Sequence, residues 1–268
     1  AVLDTLENVR NERKNGMNEE QWLEKRVEEL AEKCRMRDIP THTEFLNLNE
    51  QDIFYRTMRK QKGVRYVLAG GYPMAERKVG MFLPSYLEEG DESMLPVSCV
   101  HILPLNEKFA DKLSHRDYLG ALMNLGIERH KTGDIVTDGT RAWLFCMTDL
   151  AQYICENLGQ VRHTRVYAEI GEVPAEVLQP EFETIEGSVA SVRLDALLAL
   201  AFKTSRSKMV PCLEAGQVFV NGRLVMSASE VPAEGAIVSV RHMGRFVYRG
   251  VKSETRKGRL FVTVDRYV

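Results

Sequence analysis

The sequence predicts an α+β protein of more than one domain. Three observations carry that expectation. Segments with helical apolar periodicity alternate with short β-branched runs along the chain. The 268 residues exceed the usual size of one domain. The charge is also divided unevenly: residues 1–187 hold 23 Lys and Arg against 32 Asp and Glu, a net of −9, whereas residues 188–268 hold 13 against 6, a net of +7. The formal charge of −2 is therefore the average of an acidic body and a basic C-terminal third, and a polyanion site is expected in that third.

The elements follow in order. Asn18 is placed to cap a helix whose Leu23, Val27, Leu30 and Cys34 share one face, and Pro40 ends it. Asn49 is placed to cap a second helix with Ile53, Phe54 and Met58 inward and Gly63 as its C′ residue. Val64–Ala69 is a predicted strand, and Gly70–Gly71 a turn that lacks the GK[ST] of a phosphate loop. Residues 1–82 are thus expected to form an N-terminal α/β domain.

A middle domain is expected over residues 83–172. Val97–Leu103 is a predicted strand and His115–Leu125 a helix closed by Gly126. Ile135–Val136 is a short strand ended by the Asp138–Gly139 hairpin signal, and Arg141–Met147 is the next strand. Thr148–Leu158 is a helix with Thr148 at its N-cap and Gly159 at C′, and Val161–Ile170 a final strand. The order β-α-β-β-α-β is that of a ferredoxin-like plait, the architecture of RNA-recognition modules. Residues 173–187, acidic and with Pro174 and Pro180 in or near them, read as a linker, and 188–268 as the last domain.

The composition, 44% hydrophobic and 28% charged, excludes a disordered or collagen-like chain. The longest apolar runs, 196–202 and 142–147, are far shorter than a membrane span. The polar, acidic N-terminus carries no signal-peptide pattern. Five cysteines (Cys34, Cys99, Cys146, Cys155 and Cys212) have no CxxC spacing and sit among apolar residues. Reduced, buried thiols in a cytoplasmic protein are expected, with no metal and no cofactor.

The most specific segment is VRLDALLALAFKTSRSKMVPCLEAGQVFVNGRLV, from Val192 to Val225. Arg193-Leu194-Asp195 opens a short helix with Leu194, Leu197, Leu198 and Ala201 buried. Thr204 or Ser205 caps a second helix, which puts Arg206, Ser207 and Lys208 in its first turn. Basic residues there oppose the helix dipole by some tenths of a kcal/mol, but they suit a phosphate seat. Gly216 ends that helix, and Asn221-Gly222 is a type I′ turn between Val218–Val220 and Leu224-Val225. Arg223 points out of the hairpin, so Arg193, Arg206, Lys208 and Arg223 are expected to converge. Arg241, Arg245, Arg249, Lys252, Arg256, Lys257 and Arg259 extend the basic region, each read singly as a solvated surface residue.

This segment resembles the S4 (αL-type) RNA-binding domain, through its Arg-Leu-Asp start, Ser-Arg-Ser-Lys helix start and Leu-x-x-Gly-x-Val-x-Val-Asn-Gly run. The resemblance implies docking on structured RNA through Arg193, Ser205, Arg206, Ser207, Lys208, Asn221, Gly222 and Arg223. Pro211 departs from a regular second helix, where it deletes a backbone hydrogen bond.

No catalytic constellation stands out. Arg193-Leu194-Asp195 also resembles the catalytic loop of S4-linked pseudouridine synthases, but those enzymes carry it in a separate downstream domain. His115-Arg116-Asp117 mimics a kinase loop without the Asn or Asp-Phe-Gly that must follow. A non-catalytic binding protein is expected. An S4-docked RNA-modifying enzyme and a cell-division scaffold are the alternatives.

Lys112–Leu122, Leu125-Gly126-Ile127 and Lys131-x-Gly133-Asp134-Ile135 resemble the middle domain of the bacterial YlmH family. Phe45-Leu46, Gly70-Gly71-Tyr72 and Ala75–Lys78 fit the same family's N-terminal portion. The resemblance implies a cytoplasmic protein on the large ribosomal subunit, holding rRNA and tRNA during rescue of stalled translation while a tailing factor extends the nascent chain. In the middle domain, Arg141, Trp143 and Phe145 share one strand face. Either that face is open and stacks bases, or the N-terminal domain covers it, and the missing basic-aromatic signature of RNA-recognition motifs favours coverage. His115, Arg116 and Lys131 either contact phosphate or cap and pair locally.

Overall fold

The computed structural model describes residues 18–268 except Lys62, Pro180 and Lys257. It is a mixed α/β protein with three sheets and, among the described residues, six α-helices. The chain divides into two compact units between Leu178 and Gln179.

The first unit opens with α1 (Glu19–Arg37), capped by Asn18, whose side chain accepts from Gln21 N while Gln21 reaches back. Leu23, Val27, Leu30 and Cys34 are buried. The helix stops at Asp38, in the left-handed region at φ 50°, and the Asp38 carboxylate accepts from the Ser85 N–H and hydroxyl. A strand absent from the sequence-based expectation follows, β1 (Thr41–Leu46). Next come α2 (Leu48–Met58), β2 (Arg65–Ala69) and β3 (Lys78–Leu83), and the three strands form an antiparallel sheet in the order β1-β3-β2.

Two expected caps move. Asn47, not Asn49, caps α2, because its carboxamide accepts from both Asn49 N and Glu50 N and Glu50 completes the box. The helix ends at Met58 with Arg59 as C-cap, so Gly63, at φ 77°, belongs to the following loop rather than to a C′ position.

A five-stranded antiparallel sheet follows: β4 (Val97–Pro104), β5 (Thr132–Thr137), β6 (Ala142–Met147), β7 (Gln160–Val161) and β8 (Thr164–Ile170), in the order β5-β6-β4-β8-β7. Helices α3 (His115–Asn124) and α4 (Thr148–Asn157) cover one face, burying Tyr118, Leu122, Ala151 and Ile154 with Val100, Ile102, Leu144 and Cys146. Thr148 is the first helical residue rather than the N-cap, and its hydroxyl pairs with Ser98 Oγ at 2.9 Å. The expected last strand is broken at Arg162, whose φ of 53° turns the chain back into a tight β7–β8 hairpin.

The other face of this sheet is closed by the β1-β3-β2 layer. Phe45, Val79, Phe145 and Met147 form one buried cluster, with Tyr72 stacked on Phe145 at 4.7 Å. Two glycines permit the approach. A Cβ on Gly133 would lie 2.5 Å from the Phe45 ring, and one on Gly71, at φ 92°, would lie 2.6 Å from Phe145. The boundary expected at 82/83 therefore separates two sheets inside one unit, not two independent bodies.

The two layers are also joined by polar groups. Asp134 accepts from the Tyr72 hydroxyl at 2.8 Å, Glu76 N at 2.7 Å and Arg77 N at 3.1 Å. Arg77 donates to the carbonyls of Phe45, Thr132 and Arg129. Glu44 on β1 binds His130 at 3.0 Å and Lys131 at 2.6 Å.

The second unit is a six-stranded sheet in the order β11-β10-β12-β13-β14-β9, with two helices on it. Its strands are β9 (Phe182–Val189), β10 (Val218–Val220), β11 (Arg223–Leu224), β12 (Ile237–Val240), β13 (Gly244–Glu254) and β14 (Leu260–Tyr267). Here the expected linker 173–187 is corrected. Residues from Phe182 onward form β9, which pairs with β14 from Val189↔Leu260 to Phe182↔Tyr267. Its acidic residues are ion-pair partners for the basic tail: Glu186 binds Lys252, and Glu183 binds Lys203 and Arg266. Pro180 lies outside the described residues.

The Glu44 cluster sets a pH dependence. Burial pushes the Glu44 carboxyl up, but hydrogen bonds from His130 and Lys131 outweigh it and hold the group at about 2. His130 is raised, chiefly by its hydrogen bond to Glu44. The histidine's contribution is therefore complete below its unfolded pKa, about 6.5, and fades as pH rises through its folded value. Thermal unfolding should show up to about 1 kcal/mol lost in that rise, the ceiling for a half-exposed pair. His130→Gln should flatten it, and an unchanged pH profile in that variant refutes the assignment. Asp134→Ala, which orphans two backbone N–H groups, should cost about 2–4 kcal/mol in denaturant unfolding.

Candidate nucleic-acid interface

The site expected in the basic third is built on two short helices, α5 (Leu194–Ala201) and α6 (Arg206–Glu214). Leu194, Leu197, Leu198 and Ala201 of α5 and Met209 and Leu213 of α6 are buried on the sheet with Val238, Phe246, Val262 and Val264. The start of α5 is held from outside the helix: Leu194 N donates to Glu230 O at 2.7 Å and Asp195 N to Ala228 O at 3.2 Å. These bonds fix where Asp195 points.

Asp195 is only 5% exposed, yet it carries a carboxylate. Arg206 donates to its Oδ2 through Nη2 at 2.7 Å and Nε at 3.1 Å, and Arg193 Nε donates to Oδ1 at 3.2 Å. Burial, the largest single influence, pushes the Asp195 pKa up, but the two guanidinium groups together bring it below the ordinary value. One acid thus gathers the first and third residues of the expected contact set. Both arginines keep 40–48% of their side-chain surface in solvent, so each guanidinium is aimed by Asp195 and still open on its outer side.

Ser205 occupies the N-cap position of α6 without a side-chain cap bond, and its hydroxyl meets Ser207 Oγ at 3.0 Å instead. Ser205, Arg206, Ser207 and Lys208 are all exposed in one turn. Pro211 lies inside α6 without ending it.

The Asn221–Arg223 part of the set is separate. Asn221 (φ 50°) and Gly222 (φ 77°) form the expected turn, with Asn221 Oδ1 accepting from Ile237 N at 2.9 Å. This hairpin packs at the far end of α6, where Leu224 Cδ1 lies 3.7 Å from the Cβ position of Gly216. A nine-residue helix is about 13 Å long, so Arg223 stands apart from the arginine pair. The expected single convergence is two groups, the arginine pair at the start of α6 and the β10–β11 hairpin near its end.

Much of the basic tail is committed elsewhere. Arg249 pairs with Asp265 at 2.6 Å, Arg259 donates to Ser188 O at 2.7 Å, and Arg241 and Arg245 lie over the rings of Phe219 and Tyr267. Lys257 lies outside the described residues.

The middle-domain candidates are not assembled as an open face. Phe145, 2% exposed, is buried because the β1-β3-β2 layer and Tyr72 take its side of β6, and Trp143, 5% exposed, is buried with the His101 ring edge-on at 6.2 Å. Of the two alternatives for this face, the buried one holds, and neither ring is open to stack a base. Arg141 pairs with Asp138 at 2.9 Å and Lys131 with Glu44. His115 and Arg116 are exposed at the start of α3. Among the described residues no group of three His, Cys, Asp or Glu side chains is arranged to hold a metal ion, and no helix is long and apolar enough to cross a membrane. Burial pushes the Cys99 and Cys146 thiols up to about 12.

Asp195→Asn tests the clamp. It keeps the shape of the side chain and removes the charge, and should cost about 1–3 kcal/mol, below a fully buried pair because both guanidiniums are half exposed. Because the folded pKa is depressed, the wild type should lose this stability as pH falls below about 4, and the variant should not. A stability gap between wild type and variant that stays the same from neutral pH into acid refutes the clamp.

A family model described as "Putative RNA-binding domain in YlmH" matches residues 97–175, the five-stranded sheet with its helices. A Bacillus subtilis (strain 168) protein described as "Ribosome-associated protein quality control protein P2" is 33% identical over 230 residues, 84% of this chain and 86% of that protein. The solved structure described as "Cell division protein ylmH from Streptococcus pneumoniae" is 19% identical, with a TM-score of 0.49 over 58% of this chain and 93% of the other. With that identity sustained over most of both sequences, the chain belongs to the YlmH family.

Proposed function

We propose that this protein is a non-catalytic RNA-binding protein that works on the ribosome in quality control of translation. Its parts would be an N-terminal α/β layer, a plait-like middle domain and a C-terminal S4 domain. The observation that carries the reading is the Asp195 clamp, which aims Arg193 and Arg206 outward beside Ser205, Ser207 and Lys208. Half-exposed, pre-oriented guanidiniums lose little freedom on meeting phosphate and present a planar fork to its oxygens. Asn221, Gly222 and Arg223 would supply a second contact about one helix length away.

The family model and the Bacillus relative support RNA and the ribosome as partners. The finer reading is rRNA and tRNA on the large subunit, in the cytoplasm, with a nascent-chain-tailing factor alongside. Asp195 argues against the pseudouridine-synthase alternative: a carboxylate buried under two arginines, with both oxygens engaged, is poorly placed to attack a base.

Affinity for a structured rRNA fragment should fall steeply with salt, by about 0.7–0.9 in log–log slope per phosphate contact. Arg206→Ala with Lys208→Ala should flatten the slope by about 1.5 and release the protein from ribosomes in a sucrose gradient. Ribosome association unchanged in that double variant refutes the contact set.

A further inference from the structure

The matched RNA-binding region has lost the surface that such plaits ordinarily offer. Phe145 is buried beneath the β1-β3-β2 layer, and Trp143 on the same strand face is buried too. The helical side is different. An open groove runs between the α3 and α4 helices and the β7–β8 hairpin, lined by Arg116, Arg162 and Arg165 with Asn124 and Asn157. All three arginines are exposed, in a unit whose sequence is acidic overall. Asp117 is the one carboxylate of the lining; it lies 3.5 Å from Arg162 and also accepts from Ser114 at the helix cap. The local balance is therefore positive.

Two further features fit a nucleic-acid strand. The loop that borders the groove is pinned to β8 at both ends, by Leu105 N to Arg165 O at 2.9 Å and Asp111 N to Thr164 Oγ1 at 2.9 Å. Between these anchors it presents Phe109, 82% exposed, and Leu105, 61% exposed. An exposed ring on a loop anchored to the Arg165 strand can stack a base while guanidiniums take phosphates, the combination by which single strands are held. The floor is bare as well. Gly120 sits in the middle of α3, where a glycine weakens a helix, and a Cβ there would meet nothing within 4 Å.

We infer that this groove, Arg116, Arg162 and Arg165 with Phe109 on the loop that Leu105 joins to it, is a second RNA site that takes a single-stranded segment on the helical face of the middle domain. The inference rests on the RNA-binding reading above, and adds to it the face and the kind of RNA.

The test uses the full chain and a fluorescently labelled single-stranded RNA of mixed sequence, titrated against salt. Arg116→Ala with Arg165→Ala leaves the left-handed Arg162 backbone intact and should reduce the log–log slope by about 1.4. Gly120→Leu, which fills the floor without removing a charge, should weaken binding about tenfold with no loss of thermal stability. Phe109→Ala should remove photo-crosslinking of thiouridine-substituted RNA to residues 105–111. Slopes unchanged in the arginine pair, while Arg206→Ala with Lys208→Ala still lowers affinity for structured rRNA, overturn the groove and leave the proposed function standing. A wild type that binds neither RNA overturns both. Poly-glutamate binding lost in the same variants, with RNA binding unmoved, assigns the groove to an acidic polypeptide and also overturns it.

Discussion

The C-terminal unit is organised around a carboxylate that solvent barely reaches. Asp195 stands at the start of a helix whose first N–H groups are taken by the 228–230 loop, so its position is set before any arginine meets it. Desolvating an acid is costly, and here two guanidiniums offset the cost while remaining half in water. The arrangement explains why Arg206 occupies the first turn of a helix, where a positive charge is locally unfavourable. Its energetic partner is not the dipole of its own helix but the acid of the helix before. Remove that acid and two long side chains regain their rotamers, and the surface loses its aim before it loses its charge.

In the first unit the governing constraint is closure of one sheet upon another. Tyr72 stacks on Phe145, and Asp134 gathers the Tyr72 hydroxyl with two backbone N–H groups of the next turn. The contact needs residues without side chains at Gly71 and Gly133, because the rings of Phe145 and Phe45 fill the space a Cβ would need. A sheet closed in this way is scaffold, and recognition is displaced to its helices and hairpin turns.

Local signals in the sequence were the most legible. The capping box at Asn18, the left-handed Asn221–Gly222 turn, the two strand faces of Ala142–Met147 and the short α5 helix all follow from nearest-neighbour chemistry. That Asp195 gathers two arginines was hidden, because Arg206 lies eleven positions along the chain in the next helix. Elements whose partners lie far along the chain were hidden. β1 is too short and polar to announce itself until β3 covers it, and β9 resembles a linker because its strand partner β14 and the basic residues Lys252 and Arg266 lie more than 60 positions away. Asn47 and Asn49 are equally good caps on composition, and only the reciprocal bond from Glu50 selects the first. The groove was invisible because no motif marks it; the mid-helix glycine at 120 is its one local trace.

The pairing of β9 with β14 bears on how the second unit is made. Side-chain bonds across this pair join residues 71 to 83 positions apart, so the first strand of the unit to leave a ribosome waits for its neighbour until nearly the whole unit has been synthesised. Meanwhile α5, α6 and the β10–β11 hairpin have local partners and can form early. During vectorial synthesis the arginine clamp can thus be assembled while the sheet beneath it still lacks its closing edge. The acidic residues of β9, exposed in that interval, act as charged gatekeepers on a strand with no partner yet.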